Sequence, residues 1–462
     1  MRSESKRFKA SYFKALMSAV LLAAVMAAAS CGKTYPDAGE SWTVGFGESE
    51  IFLDLSDDSG GEYYIAGFRN GNKATGILDS QTVRVLWLDD NTGRGGVLFI
   101  TVDCVGLSDT DCGTIKDAVR PVVSSGGRKL RDIFVISTHD HAGVDTLGMW
   151  GEIGICGKNP RFMQELTISA VTAASNAVIE PYADIGEAEL TYKKTFASCF
   201  RDSRPPELTD SYVHRIAINR EGLGNISVFN VGIHAESLGG DNSLVSADFP
   251  GVLYSMYPIY GDLTVFVPGT LGGLIAPKDG YDSAWKDIAD AGYADNIGDP
   301  VGIAPSIELA SADITIPLDN PIFAVLKTLG VINHKTVRCD SETGLGIRTR
   351  VSWLRLGGRL DIMLVPGELT PELGYSLDPD ITALETLIPE GNDLLIFSLA
   401  DDEIGYILPE KDFMVDRDLP YLTEYIDDTG EKHYEETNSP GPKTYEVIFE
   451  AFKKLSEKLD KH

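Results

Sequence analysis

The sequence predicts an α/β protein: one large domain with mixed β-sheets and surrounding helices. Three observations predict it. Apolar strand-like runs alternate with amphipathic helical stretches, and about four hundred residues pass without a low-complexity linker or an internal repeat. Four of the apolar runs also lead into a residue able to hold a metal ion.

The chain opens on a targeting segment. Arg2, Lys6, Arg7, Lys9 and Lys14 give a basic start, residues 15–29 are apolar, and Ala28-Ala29-Ser30 lead into Cys31. That is the pattern of a bacterial signal peptide over residues 1–30 with a lipoprotein-type cleavage site. The apolar run is shorter than the ~20 residues a membrane-spanning helix needs. Lipidation of Cys31 would anchor an exported protein at a membrane. Residues 31–42 read as a polar tether and 43–462 as the domain. The formal charge is −29, and the basic leader makes the remainder more acidic still. Such a body repels nucleic acid and anionic lipid, so attachment falls to the covalent lipid.

The elements follow in order. Runs 82–88 and 96–102 are rich in Val, Leu, Ile and Phe, as are 132–138, 226–233, 262–267, 351–356, 361–365 and 394–399, and all read as strands. Residues 159–179 and 443–459 read as helices. The second carries a stripe of Val447, Phe449, Phe452, Leu455 and Leu459, which marks a closing helix packed on the body. Residues 280–305, rich in Gly, Asp and Ala, read as a surface loop. Beyond Cys31 there are five cysteines, Cys104, Cys112, Cys156, Cys199 and Cys339, none in C-x-x-C spacing. They are expected as buried small hydrophobes, with at least one left unpaired because their number is odd.

The chemistry gathers where strands end. Run 132–138 leads into His139-Asp140-His141, and in an extended segment residues i and i+2 share a face. One imidazole can then hold a metal while the other acts as acid or base. Run 226–233 leads into His234, run 361–365 into Pro366-Gly367-Glu368, and run 394–399 is followed by Tyr406. Polar groups at the carboxyl ends of strands converge on one crevice in α/β sheets. Two imidazoles, a carboxylate and a phenol suit a hydrolytic zinc ion. The H-x-H-x-D-H signature of metallo-β-lactamases is not met, because Gly143 and Val144 follow.

Taken in order, the segments resemble those of the neutral/alkaline (non-lysosomal) ceramidases, secreted or membrane-associated zinc amidases. Ser137–Gly143 is similar to S-T-H-T-H-S-G, and His234–Asp248 to H-P-T-S…L-I-S-G-D. Pro366-Gly367-Glu368 repeats P-G-E, Tyr406 stands in Ile404-Gly405-Tyr406-Ile407, and His433–Ser439 is similar to R-Y-E-G-A-S-T. Val44-Gly45-Phe46-Gly47 resembles the family's opening strand. The resemblance runs from about Thr43 to Phe452 and implies the family's catalytic domain in a bacterial lipoprotein. It implies Zn²⁺ on His139, His234, Glu368 and Tyr406, with His141, Tyr406 and Tyr434 taking part in catalysis on a lipid amide.

Two departures stand out. The family's nucleophilic serine falls on Ile275 or Ala276, neither with a hydroxyl, while Thr270 lies upstream on the Gly-rich loop. The family's C-terminal β-sandwich is not expected here, since the sequence stops after the closing helix. Two functions therefore compete: a zinc-dependent amidohydrolase acting through metal-activated water, or a non-catalytic surface lipoprotein that binds lipid or glycan on the same fold.

Overall fold

The computed structural model describes residues 38–459 apart from 57–60, 199, 205, 279, 295–298 and 429. The leader, Cys31, residues 31–37 of the tether and Cys199 lie outside the described residues.

Two mixed sheets carry the fold. The first has nine strands: β1 (Trp42–Glu50), β2 (Thr82–Asp89), β3 (Gly96–Val102), β4 (Leu130–Ser137), β5 (Asp184–Phe196), β6 (Tyr212–Arg220), β7 (Asn225–Val231), β8 (Asp262–Pro268) and β9 (Val301–Ile303). Their order is β8-β7-β6-β5-β1-β2-β3-β4, with β9 also on β5. The outermost pairs, β8 on β7 and β4 on β3, are parallel, and the interior pairs are antiparallel. The second sheet has five: β10 (Ile307–Leu318), β11 (Thr336–Arg338), β12 (Leu345–Leu356), β13 (Leu360–Leu364) and β14 (Asp393–Phe397). In it β14 runs parallel to β13.

Strand alternation sorts the side chains into layers. Val44, Phe46, Leu86, Phe99, Phe134, Ile136, Val265 and Val267 face one way and meet Leu354, Ile362, Leu364, Leu395 and Phe397 of the second sheet. The opposite parity, Val85, Trp87, Ile100, Ile133 and Val135, packs on helices α1 (Asp109–Ser125) and α2 (Pro160–Val178). Helices α3 (Asp248–Ser255) and α4 (Tyr281–Gly292) cover Phe229, Val231 and Phe266. Helix α5 (Thr444–Leu459) places Ile448, Ala451, Phe452, Leu455 and Leu459 against Trp353, Met363 and Ile396 on the far side. The architecture is thus α/β with helices outside two facing sheets.

Local chemistry sets several of these boundaries. Asn159 caps α2 by accepting from the backbone N–H groups of Arg161 and Phe162, and Pro160 fits the first turn because it needs no N–H there. The helix then approaches β1 closely. A Cβ on Gly47 would lie 2.0 Å from the Ala173 carbonyl oxygen, and one on Gly45 2.1 Å from that of Ala177. Ala173 and Ala177 complete this small-residue contact.

Segment 280–305 is not the loop its composition suggests, because α4 and β9 occupy much of it. The helix buries Ala284, Ile288, Ala289 and Gly292 along one face. The helix is amphipathic, but the Gly, Asp and Ala that dominate the segment's composition mask this. Cys104, Cys112, Cys156 and Cys339 are free thiols. Cys104 is fully buried, and that burial pushes its thiol up to about 12, so it behaves as a small hydrophobe. No described helix is long and apolar enough to cross a membrane.

Candidate metal centre

Strand β4, at one edge of the nine-stranded sheet, and β7, next to the opposite edge strand β8, lead into opposite halves of the site. Beyond β4, Asp140 forms a parallel bridge with Ala235, which lies beyond β7. The His141 N–H donates to the Ala235 carbonyl at 2.9 Å. This register places His139 beside His234 and His141 beside Glu236. His139 adopts φ 60°, a left-handed conformation, two residues after β4 has ended. The strand pleat expected to align His139 with His141 is therefore absent. A backbone kink and the bridge to Ala235 bring the rings together instead, with centroids 4.6 Å apart.

The second sheet brings the carboxylate. Just beyond β13, Glu368–Leu369 pairs in parallel with Tyr406–Ile407, so Glu368 and Tyr406 are register partners. Glu368 Oε2 lies 3.3 Å from His139 Nε2 and 3.1 Å from His234 Nε2. On the far side of each ring, His139 Nδ1 meets the Val105 carbonyl at 2.7 Å, and His234 Nδ1 meets that of Ile275 at 2.8 Å. A carbonyl can only accept, so both Nδ1 atoms donate and both Nε2 atoms are left for another partner. In the neutral rings, two lone pairs would then face one anionic oxygen. That arrangement is repulsive unless a proton or a cation lies between them.

These residues fit a divalent metal. Ring nitrogens of His139, His141 and His234 lie within 4.8 Å of one another. Imidazole nitrogens oriented by carbonyls, with a carboxylate, are a zinc-type donor set. Burial works against the charge of Glu368, but His139 and His234 overcome it and hold the carboxyl below its usual range. Burial pushes His141 well below its usual pKa, and His139 and His234 add to this, which favours its neutral form. Neither ring nitrogen of His141 has a hydrogen-bond partner. Its Nδ1 lies 3.5 Å from Glu236 Oε2, and Phe68 packs edge-on against the ring.

The remaining expected residues fall at different depths. Tyr406 is buried, and burial, then the neighbouring Glu368, raise its phenol well above the ordinary value. Tyr434 is more exposed and lies at the start of the short turn Glu435–Asn438, within electrostatic reach of Glu368. Ala276 is buried next to Ile275, whose carbonyl orients His234, and it pairs with Arg201. Thr270 is buried too, its methyl group facing Gly374 and its carbonyl facing Gly232.

Two carboxyl groups were not singled out from the sequence. Glu236 stands next to His141, and its position two residues after His234 mirrors the His139-Asp140-His141 spacing. Glu403 is buried, accepts from the Gly405 N–H at 2.8 Å and abuts Gly106. Burial, then Glu368, push its carboxyl well above the usual range, which favours its protonated form. No local pattern marks Glu403, which reaches this neighbourhood only through the loop beyond β14.

No protein-family model and no curated protein sequence matches the chain. Solved structures do. A neutral ceramidase from Pseudomonas aeruginosa superposes with a TM-score of 0.66 at 13% identity, covering 92% of this chain and 75% of that one. A ceramidase complexed with C2 gives 0.68 at 14% identity, covering 91% and 75%. The chain therefore has a ceramidase-like α/β fold.

Proposed function

We propose that this chain is a zinc-dependent hydrolase of the ceramidase kind, cleaving the amide of an N-acyl lipid. One observation carries the reading: the Nε2 atoms of His139 and His234 converge on Glu368 Oε2 while His141 stands unpartnered beside them. Zinc held by His139, His234 and Glu368, with Tyr406 at its side, would supply Lewis acidity and lower the pKa of a water to about 7. His141 then accepts the proton of the attacking water and returns it to the departing amine. Glu236 orients His141 for both transfers. Tyr434, on the exposed side, donates to the carbonyl oxygen as negative charge develops there. Because attack comes from water, a side-chain hydroxyl at Ala276 is not needed. Phe68 forms an apolar wall against His141 for the acyl portion. The leader pattern and Cys31 add export and a lipid anchor to this reading.

Ala276 favours a second reading, in which the same centre binds a lipid or glycan without cutting it. Metal analysis combined with hydrolysis of a panel of N-acyl amides, ceramide included, separates the two. Turnover that disappears together with one zinc per chain in His139→Ala supports the hydrolase. Zinc binding without turnover of any amide in the panel supports the binding protein. Unchanged zinc content in His139→Ala overturns the ligand assignment.

A further inference from the structure

A second group of metal-type ligands lies in the hairpin formed by Tyr425–Ile426 and Lys432–His433. Tyr425 pairs with His433 and Ile426 with Lys432, so alternation puts Glu431 and His433 on one face. Asp427 closes the turn opposite Glu431: its N–H donates to the Glu431 carbonyl at 3.0 Å, and its Oδ1 accepts from the Glu431 N–H at 2.9 Å. One oxygen of each carboxylate and one nitrogen of His433 all lie within 4.8 Å of one another.

An independent observation comes from the other side of the ring. His433 is 5% exposed, and its Nδ1 meets Glu436 Oε1 at 2.8 Å. Glu436 is itself fully buried. Its carboxylate makes Nδ1 the donor, which leaves the lone pair on Nε2, and Nε2 has no partner although it is buried. A carboxylate behind an imidazole whose other nitrogen awaits a partner is the arrangement that orients metal-ligating histidines and raises their basicity. One nitrogen and two carboxylate oxygens suit a divalent transition cation.

We propose that Asp427, Glu431 and His433 form a second divalent-cation site, of the zinc or manganese class, which pins this hairpin. It shares no residue with the His139–His234–Glu368 centre. Tyr434 follows His433 directly, so a cation here fixes the backbone from which Tyr434 approaches that centre.

The test is metal counting on the full chain, loaded with zinc and dialysed, in wild type, His139→Ala, His433→Ala and Asp427→Asn. Two ions in wild type and one in each variant is the expected result. Zinc should also slow amide exchange over residues 425–433 in His139→Ala, where only the hairpin ion remains. A count unchanged from wild type in both His433→Ala and Asp427→Asn overturns the proposal, whatever the wild-type count. Asp427 is only partly buried, so Asp427→Asn keeps the test decisive where His433→Ala fails to fold. If the hairpin variants lose an ion and His139→Ala loses none, the hairpin site stands and the reading of the first centre falls.

Discussion

His214 is as buried as His139 and His234, with His141 only slightly more open, yet their hydrogen bonding is opposite. His214 lies within β6, where its Nδ1 meets the Tyr192 hydroxyl at 2.7 Å and its Nε2 meets Asp210 Oδ2 at 2.8 Å. Its ring also stacks on Tyr375. Both nitrogens are satisfied and nothing remains for a ligand. At the other site two rings turn their free nitrogens toward one carboxylate oxygen, and a third ring has no partner. Burial alone therefore does not separate the two groups. What separates them is the hydrogen-bonding capacity left over once the fold has made its own bonds.

Breaking this contrast begins with its strongest member. His139→Ala or His234→Ala should lose one zinc per chain and about a thousandfold in turnover, read by metal analysis and steady-state kinetics. His141→Ala should keep that zinc and lose about a hundredfold, since it removes proton transfer and leaves the ligands in place. Glu236→Gln should cost about tenfold, because it loosens His141 without removing it, and zinc content should stay unchanged. His214→Phe should leave metal and turnover intact but destabilise the fold by ~1–3 kcal/mol for each partner stranded, Asp210 and Tyr192, seen as a lower Tm. Loss of zinc in His214→Phe would erase the distinction between the two groups.

The smallest expected effect concerns pH. Asp103 is buried and, like His214, well partnered: it accepts from the Thr82 N–H and hydroxyl and from Tyr254. Burial raises its carboxyl from 3.8 to about 6. Folding thus favours the protonated form, so this contribution is present below 3.8 and fades as pH rises through about 6. Urea midpoints measured across that window should show a component of this sign, and Asp103→Asn should flatten it.

Much of the fold could be read from the chain because its strands are locally written. Runs such as 96–102 and 262–267 are rich in Val, Leu, Ile and Phe, and β3 and β8 lie there. The two expected helices form at Pro160–Val178 and Thr444–Leu459, where capping residues and an apolar stripe are visible. Strands β5, β6 and β10 were harder to read because they mix polar with apolar positions and are only partly buried. Helix α4 was hidden because the segment's Gly-, Asp- and Ala-rich composition, and not its periodicity, sets the loop expectation. Among the site residues, His139, His141, His234 and Glu368 were legible because each follows an apolar run closely. Glu236 and Glu403 were not, since an acid in a loop, such as Glu403 in the run Asp401-Asp402-Glu403, looks like any solvated charge.

Residue types and their spacing along the chain determined which groups could bind a metal and where strands would deliver them. That information is local, because backbone alternation and turn chemistry act over a few residues. Tertiary structure alone decided which of them meet. His234 and Glu368 are 134 residues apart in sequence and come within 3.1 Å because the segment beyond β7 bridges to the segment beyond β4 and the second sheet inserts Glu368 there. The left-handed turn at His139 was likewise a tertiary decision. No local preference asks for it, and it persists because the Val105 carbonyl and the bridge to Ala235 hold the segment on both sides.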